Sequence, residues 1–386
     1  MTEKKKFVTM NNYFMVKTDC VHFPLDRPCR FHKEHGTKCY RCNSYQPVFS
    51  AKKNKPRRIL IIKLDAMGDV LRTTFLLPGL KEKYGDIHVT WLVAPASAPF
   101  LEHNPLVDCV WPLDKDVFSR LLSETFEEVI NLDLSPSSLA LASAAPAGSF
   151  TGFMPDKKRR VMCSNAYARK WLLMSAFDDA KKSNTQTFQY WMAKITGIKR
   201  ADYEIHVPLE AAAVARAALF ARRHGLAGRK IVGINPGAGA RWRLKKWTDS
   251  GFASLIRSLE QSGAKALLLG GPQEETLLRS LAKSTGAVAA GTDNTILEFF
   301  ALINLCDIVV TGDTMALHAA LGLKKKAVAI FGPTSAAEIE MYGRGTKIVS
   351  PAPCVCCYRA HCQVRPDCMS LIRPGVVRQA VENLWK

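Results

Sequence analysis

The sequence predicts an α/β protein: two doubly wound, parallel-sheet domains facing one another, preceded by a cysteine-rich segment. Three observations predict it. Apolar runs of four or five residues, such as Ile59–Lys63 and Ala327–Phe331, are separated by helix-length segments, the pattern of strands buried on both faces. Two strand–turn–helix units far apart in the chain each carry a Gly-Asp pair just past the strand, Gly68-Asp69 and Gly312-Asp313. And 386 residues exceed what one ordinary core accommodates.

Residues 1–56 stand apart as a basic Cys/His-rich extension. Residues 1–58 hold fourteen Lys and Arg against four Asp and Glu, so a net +10 of the chain's +20 lies there. Within the extension runs C-x8-C-x2-H-x2-H-x3-C-x2-C. The Cys39–Cys42 spacing lets both sulfurs of one turn meet a single ion, and Cys20 and Cys29 complete a four-thiolate shell for zinc or for an iron–sulfur cluster. So short and polar a stretch cannot order itself by burial, and a metal would explain its folding. The competing reading is a disordered basic tail with incidental cysteines. Residues 52–56, Lys-Lys-Asn-Lys-Pro, read as the linker.

Residues 57–208 read as the first α/β domain, with strands at Ile59–Lys63, His88–Val93, Val107–Trp111 and Glu128–Leu132. Asp69 stands near the start of the helix after the first strand, either pointing into the interdomain crevice or capping its helix. Ser135 to Lys182 carries no clear pattern. Its run Lys157 to Arg160 reads as a solvated charge cluster or an acceptor-facing loop.

Residues 209–372 read as the second domain. Strand Ile231–Asn235 leads into a turn holding Gly237 and Gly239, followed by Arg241, Arg243, Lys245 and Lys246. A glycine turn backed by cations suits a diphosphate. Trp247 reads as packing. Strand Ala266–Gly270 leads to Glu274, which either accepts from ribose hydroxyls or supplies ordinary acidity at a helix start. Strand Asp307–Thr311 leads to Asp313 and Thr314 at a helix start, with His318 one turn on. Those residues suit an anion or a plain N-cap beside an interior histidine. Strand Ala327–Phe331 ends in Gly332-Pro333-Thr334, and residues 373–386 form a last helix with Pro374 in its first turn.

The stretches KLDAMGDVLRTT, NPGAGARWRLKKW, LLLGGPQEE, TGDTMALHAALG, FGPT and the cysteine-bearing tail occur in one order from Arg58 to Lys386. Together they resemble glycosyltransferase family 9, the heptosyltransferase group with the GT-B architecture. The resemblance implies sugar transfer from a nucleotide-diphosphate donor, ADP-heptose, to a hydroxyl of a lipopolysaccharide-core or similar anionic glycolipid, with inversion and no catalytic metal or cofactor. Asp69 matches the family's catalytic carboxylate and Lys245 the lysine that meets the donor phosphates. Asp313, Thr314 and His318 match its phosphate-side helix start. Gly237, Arg241, Glu274, Gly332 and Thr334 fall on the donor side. Cys354, Cys357, Cys362 and Cys368 match the cysteine pattern near the family's end, as a second metal site or a group of reduced thiols. The chain departs from the family at Met315, where glycine is usual, and at Phe75, where proline commonly follows the Thr pair.

Charge suits anionic partners, a nucleotide sugar, a nucleic acid or the acidic inner face of a membrane, or a solvated basic surface with no dedicated partner. No apolar run approaches about eighteen residues, and the start lacks a secretory signal, so a cytoplasmic protein with peripheral membrane contact is expected. Cytoplasmic cysteines are expected as thiols or metal ligands. Two rivals are a GT-B epimerase or hydrolase of nucleotide sugars and a metal-containing nucleic-acid binder. Aromatic and basic residues do not interleave as in RNA-binding motifs, which disfavours the second.

Overall fold

Each apolar run becomes a strand because both of its faces are covered. The computed structural model describes residues 16–24, 26–46, 56–239 and 243–386. They belong to two units, Met1–Pro56 and Arg57–Lys386. In the second unit lies a six-stranded sheet of β1 (Arg57–Ile62), β2 (Ile87–Val93), β3 (Cys109–Pro112), β4 (Phe126–Asn131), β5 (Ala147–Pro155) and β6 (Val161–Cys163), in the order β3-β2-β1-β4-β5-β6. Only the β5–β6 pairing is antiparallel. A second six-stranded sheet holds β7 (Ile231–Asn235), β8 (Lys265–Leu268), β9 (Val288–Ala289), β10 (Ile308–Gly312), β11 (Lys326–Phe331) and β12 (Gly345–Val349). Read from β9 its order is β9-β8-β7-β10-β11-β12, the same winding, and every pairing is parallel.

In both sheets the first and fourth strands are neighbours, and the winding reverses between them. At such a switch point the connecting loops part and leave a crevice at the carboxyl ends of the strands. The switch points here are β1/β4 and β7/β10.

Strand alternation fills both faces. Ile59 and Ile61 join one apolar cluster, and Leu60 and Ile62 another. All four are wholly buried, each contributing about 1.5–3 kcal/mol through its burial. One cluster takes residues from both halves, with the Phe100 and Phe300 rings 6.0 Å apart.

Four helices matter for the site: α1 (Met67–Thr73) after β1, α2 (Phe188–Thr196), α3 (Met315–Gly322) after β10, and α4 (Pro374–Trp385). The stretch from 197 to 210 crosses between the halves and is fastened on the way. His206 N donates to Thr74 Oγ1 at 3.0 Å, and Arg344 holds Glu204 through contacts of 2.8 and 2.6 Å. Helix α4 packs on the second sheet through Val377 and Val381, and Trp247 is buried, donating its indole N–H to Ile372 O at 3.0 Å.

The stretch from Ser135 to Lys182 contains helix Pro136–Ala144, β5, β6 and the helices Ala166–Ala176 and Asp178–Lys182. It lacks a legible pattern because β5 buries only Gly152 and Phe153 completely. Lys157 to Arg160 form the exposed turn of the β5–β6 hairpin. Among the described residues no helix is long and apolar enough to cross a membrane.

Candidate active site

The two switch points put their helix starts against each other. Beyond β1 the chain turns at Asp65 and Ala66, so Asp69 falls in the first turn of α1, where the helix dipole favours a carboxylate. A Cβ on Gly68 would lie 3.2 Å from His318 Cδ2 and 3.2 Å from Met315 Cα, in the first turn of α3. The absence of a side chain there is what lets the two helix starts approach.

Cations from both halves surround Asp69. Arg72, three residues on and therefore on the same helix face, places Nη2 2.8 Å from Asp69 Oδ1. Its guanidinium lies 3.8 Å from the Phe188 ring centroid, and its buried Nε has no hydrogen-bond partner among the described residues. Lys63, at the end of β1, pairs with Asp133 at the end of β4, whose other oxygen accepts from Leu64 N at 2.6 Å. Burial alone would raise the Asp69 pKa, but Arg72, Lys63, His318 and Lys245 together outweigh it and hold it down at about 2. The Asp69 side chain keeps 38% of its surface exposed, so the carboxylate remains open to the crevice.

From the second half, Lys245 Nζ meets Asp313 Oδ2 at 2.8 Å and tethers the loop after β7 to the loop after β10. Burial pushes Asp313 up, but Lys245 pulls it below the usual carboxylate range, helped by His318 and Arg72. Thr314 occupies the N-cap position of α3, yet its hydroxyl makes no capping bond and lies 2.9 Å from the Thr311 hydroxyl. His318 is buried, and that burial, with Arg72 nearby, lowers its pKa to about 4, so its imidazole is neutral near pH 7.

Other expected donor-side residues lie in mixed positions. Gly237 and Glu274 adjoin, because a Cβ on Gly237 would lie 2.7 Å from the Glu274 carboxyl carbon. Glu274 Oε2 meanwhile accepts from Gly271 N at 3.1 Å, capping its own helix. Gly332 and Thr334 are buried, and the tail clamps their loop: Cys356 N donates to Gly332 O and Tyr358 N to Pro333 O, each at 2.9 Å. Arg241 lies outside the described residues.

Cys354, Cys357, Cys362 and Cys368 are gathered together. Burial first, then Asp367 and the three other thiols, push Cys368 up to about 11. Cys356 faces away, towards Ser335 and Glu338. All described cysteines are free thiols. Among the described residues no group of three or more His, Cys, Asp or Glu side chains stands placed to hold a metal ion.

Sequence reading missed Arg72, Lys63, Asp133 and Glu338. The i, i+3 spacing from Asp69 was a usable signal for Arg72. Glu338 had none: it enters through a loop whose carbonyl accepts from Phe188 N at 2.9 Å. Burial raises its pKa against the pull of Arg72 and Lys181, while Asp313 and Asp69 add to the rise.

The profile of glycosyltransferase family 9 (heptosyltransferase) matches residues 116–367. Lipooligosaccharide heptosyltransferase 2 of Campylobacter jejuni subsp. jejuni serotype O:2 is 29% identical over 167 residues, 41% of this chain and 52% of that protein. The chain thus spans about half the length of the first curated relatives it matches. Lipopolysaccharide heptosyltransferase 1 of Pseudomonas aeruginosa is 22% identical over 344 residues, 80% of this chain and 88% of that protein. The crystal structure of a family 9 glycosyl transferase from Veillonella parvula, at 20% identity, superposes with a TM-score of 0.70 over 87% of this chain and 99% of that one, and so shows the same two-sheet GT-B fold. With its profile match covering well over half the sequence, the chain belongs to glycosyltransferase family 9.

Proposed function

We propose that the protein transfers a sugar of the heptose type from a nucleoside-diphosphate donor, ADP-heptose by family resemblance, to a hydroxyl of a lipopolysaccharide-core acceptor. The observation that carries this reading is an open carboxylate, Asp69, set between two abutting helix starts and ringed by Arg72, Lys245 and neutral His318. In the reaction the acceptor oxygen attacks the anomeric carbon and the carbon–oxygen bond to the diphosphate breaks. The hydroxyl proton passes to Asp69, and the bonding electrons leave with the nucleoside diphosphate. Attack from the face opposite the leaving group inverts the anomeric centre. Lys245 and the start of α3 receive the departing charge without a metal.

A carboxylate held at about 2 is a weak base, so its contribution comes mainly from placement. Donor phosphates that engage Lys245 and Arg72 would relieve the cationic field on Asp69 and make it a better base once the donor is seated. The chain's excess of positive charge supports an anionic acceptor and action at the acidic inner face of a membrane.

The test is Asp69→Ala assayed for transfer and, separately, for donor binding by calorimetry. Transfer is expected to fall about 10²–10⁴-fold with donor affinity kept. Wild-type turnover by the variant would remove Asp69 from the mechanism. Epimerised or hydrolysed sugar from donor alone, at the rate of transfer, would replace the reading.

A further inference from the structure

We propose that Cys20, Cys29, Cys39 and Cys42 together bind one zinc ion, a tetrathiolate structural site that orders residues 16–46.

The segment has shape without a core. None of its described residues is buried, and Val16, Val21 and Tyr40 are exposed at 44%, 48% and 52%. Among its described residues the helical structure is a six-residue helix, Arg30–His35, and one 3₁₀ turn, Cys39–Arg41. A helix that short is not stable in water by itself, and no apolar cluster among the described residues supports it. Something other than burial must hold the turns together.

The four cysteines occupy the positions such a link would need. Cys29 is the N-cap of the helix, its carbonyl accepting from His32 N and Lys33 N at 3.1 and 3.0 Å. Cys39 opens the 3₁₀ turn, and Cys42 N closes it by donating to Cys39 O at 3.3 Å. Cys20 lies where the two ends of the segment meet, since Val21 N donates to Gln46 O at 2.9 Å. All four cysteines are half-buried, whereas Arg30, Lys38, Tyr40 and Arg41 beside them are exposed. They line one cavity of about 20 Å³. That is room for little more than one small particle.

His22 also lines the cavity, and His35 lies exposed at the end of the helix. His22 packs edge-on against Phe31 with ring centroids 5.1 Å apart, and His32 Nδ1 lies 3.1 Å from Thr37 O. Four cysteines lining one cavity supply the donor set of a structural zinc site. The sulfurs do not yet stand at ligand spacing, so the ion would draw them inward to Zn–S bonds of about 2.3 Å. Binding converts four S–H groups and Zn²⁺ into a doubly negative tetrathiolate and four released protons. Lys17, which also lines the cavity, and the basic residues around it favour that product.

The experiment uses the full chain, reduced and stripped with a chelator, then titrated with zinc chloride. Alkylation of each cysteine is read by peptide mass spectrometry, which separates this segment from the tail cysteines. One equivalent of zinc is expected to protect Cys20, Cys29, Cys39 and Cys42 together by about tenfold or more and to slow proteolysis within 16–46 to a similar degree. In a Cys39→Ser, Cys42→Ser variant, protection of Cys20 and Cys29 should vanish. The variant's donor binding, read by calorimetry, should stay near wild type, which separates failure of this site from failure of the proposed transfer. Equal alkylation with and without zinc, protection that survives in the variant, a disulfide among the four, or iron with acid-labile sulfide in the purified chain would each overturn the proposal.

Discussion

Asp69 is ionised across the whole physiological range because the cations around it overcome its burial. Its folded pKa, about 2, lies below the ordinary 3.8. The charged form therefore adds to stability above the unfolded value, and that contribution fades as pH falls through about 2. Arg72 is the first of these cations and the only one on the same helix. In Arg72→Met the acid limb of the kcat/KM–pH profile is expected to move upward, towards the ordinary carboxylate range. Wild-type enzyme should show no such limb from Asp69 above about pH 4. An unmoved limb in the variant would mean that Lys63 and Lys245 suffice. In the sequence Arg72 was legible through its i, i+3 spacing from Asp69, but not which helix face turns to the crevice.

At the scale of elements, the site depends on how closely α1 and α3 approach. Gly68→Ala should fold, because the contacts it creates are tight by a few tenths of an ångström rather than impossible. Small-to-large changes of this kind cost about 1–3 kcal/mol. The displaced partners are the His318 ring and the Met315 backbone, so we expect a lower melting temperature together with weaker donor binding. Full donor affinity in the variant would show that the abutment is structural only. The strands of both switch points were legible from their apolar runs, because parallel strands buried on both faces need no alternation. β9 and β12 were not: β9 has two residues, and β12 buries only Ile348. The same limit explains β5 and β6. The cover over Gly332 was illegible for another reason. A Cβ there would lie 2.6 Å from Cys368 Sγ, a contact that joins residues far apart in the chain.

For the whole molecule, the shared winding of the two sheets is what sets one carboxyl-end crevice against the other, and so brings a helix-start carboxylate, Asp69, and two loop carboxylates, Asp313 and Glu338, into one electrostatic field. Asp69, Asp313 and Glu338 each respond to Arg72, and Glu338 is the one whose proton is held more tightly than usual. A diphosphate added to that field would raise the Glu338 pKa further, so the liganded protein is expected to bind more protons than the free one. Nucleotide affinity should accordingly strengthen as pH falls from neutrality towards the carboxylate range. Calorimetry of nucleoside-diphosphate binding in buffers of different ionisation enthalpy would read the uptake directly, and an enthalpy independent of buffer below pH 7 would refute it. The crevice would then act as a proton-coupled receptor, taking up a neutralising charge from solvent as the donor enters and releasing it when the spent nucleotide departs.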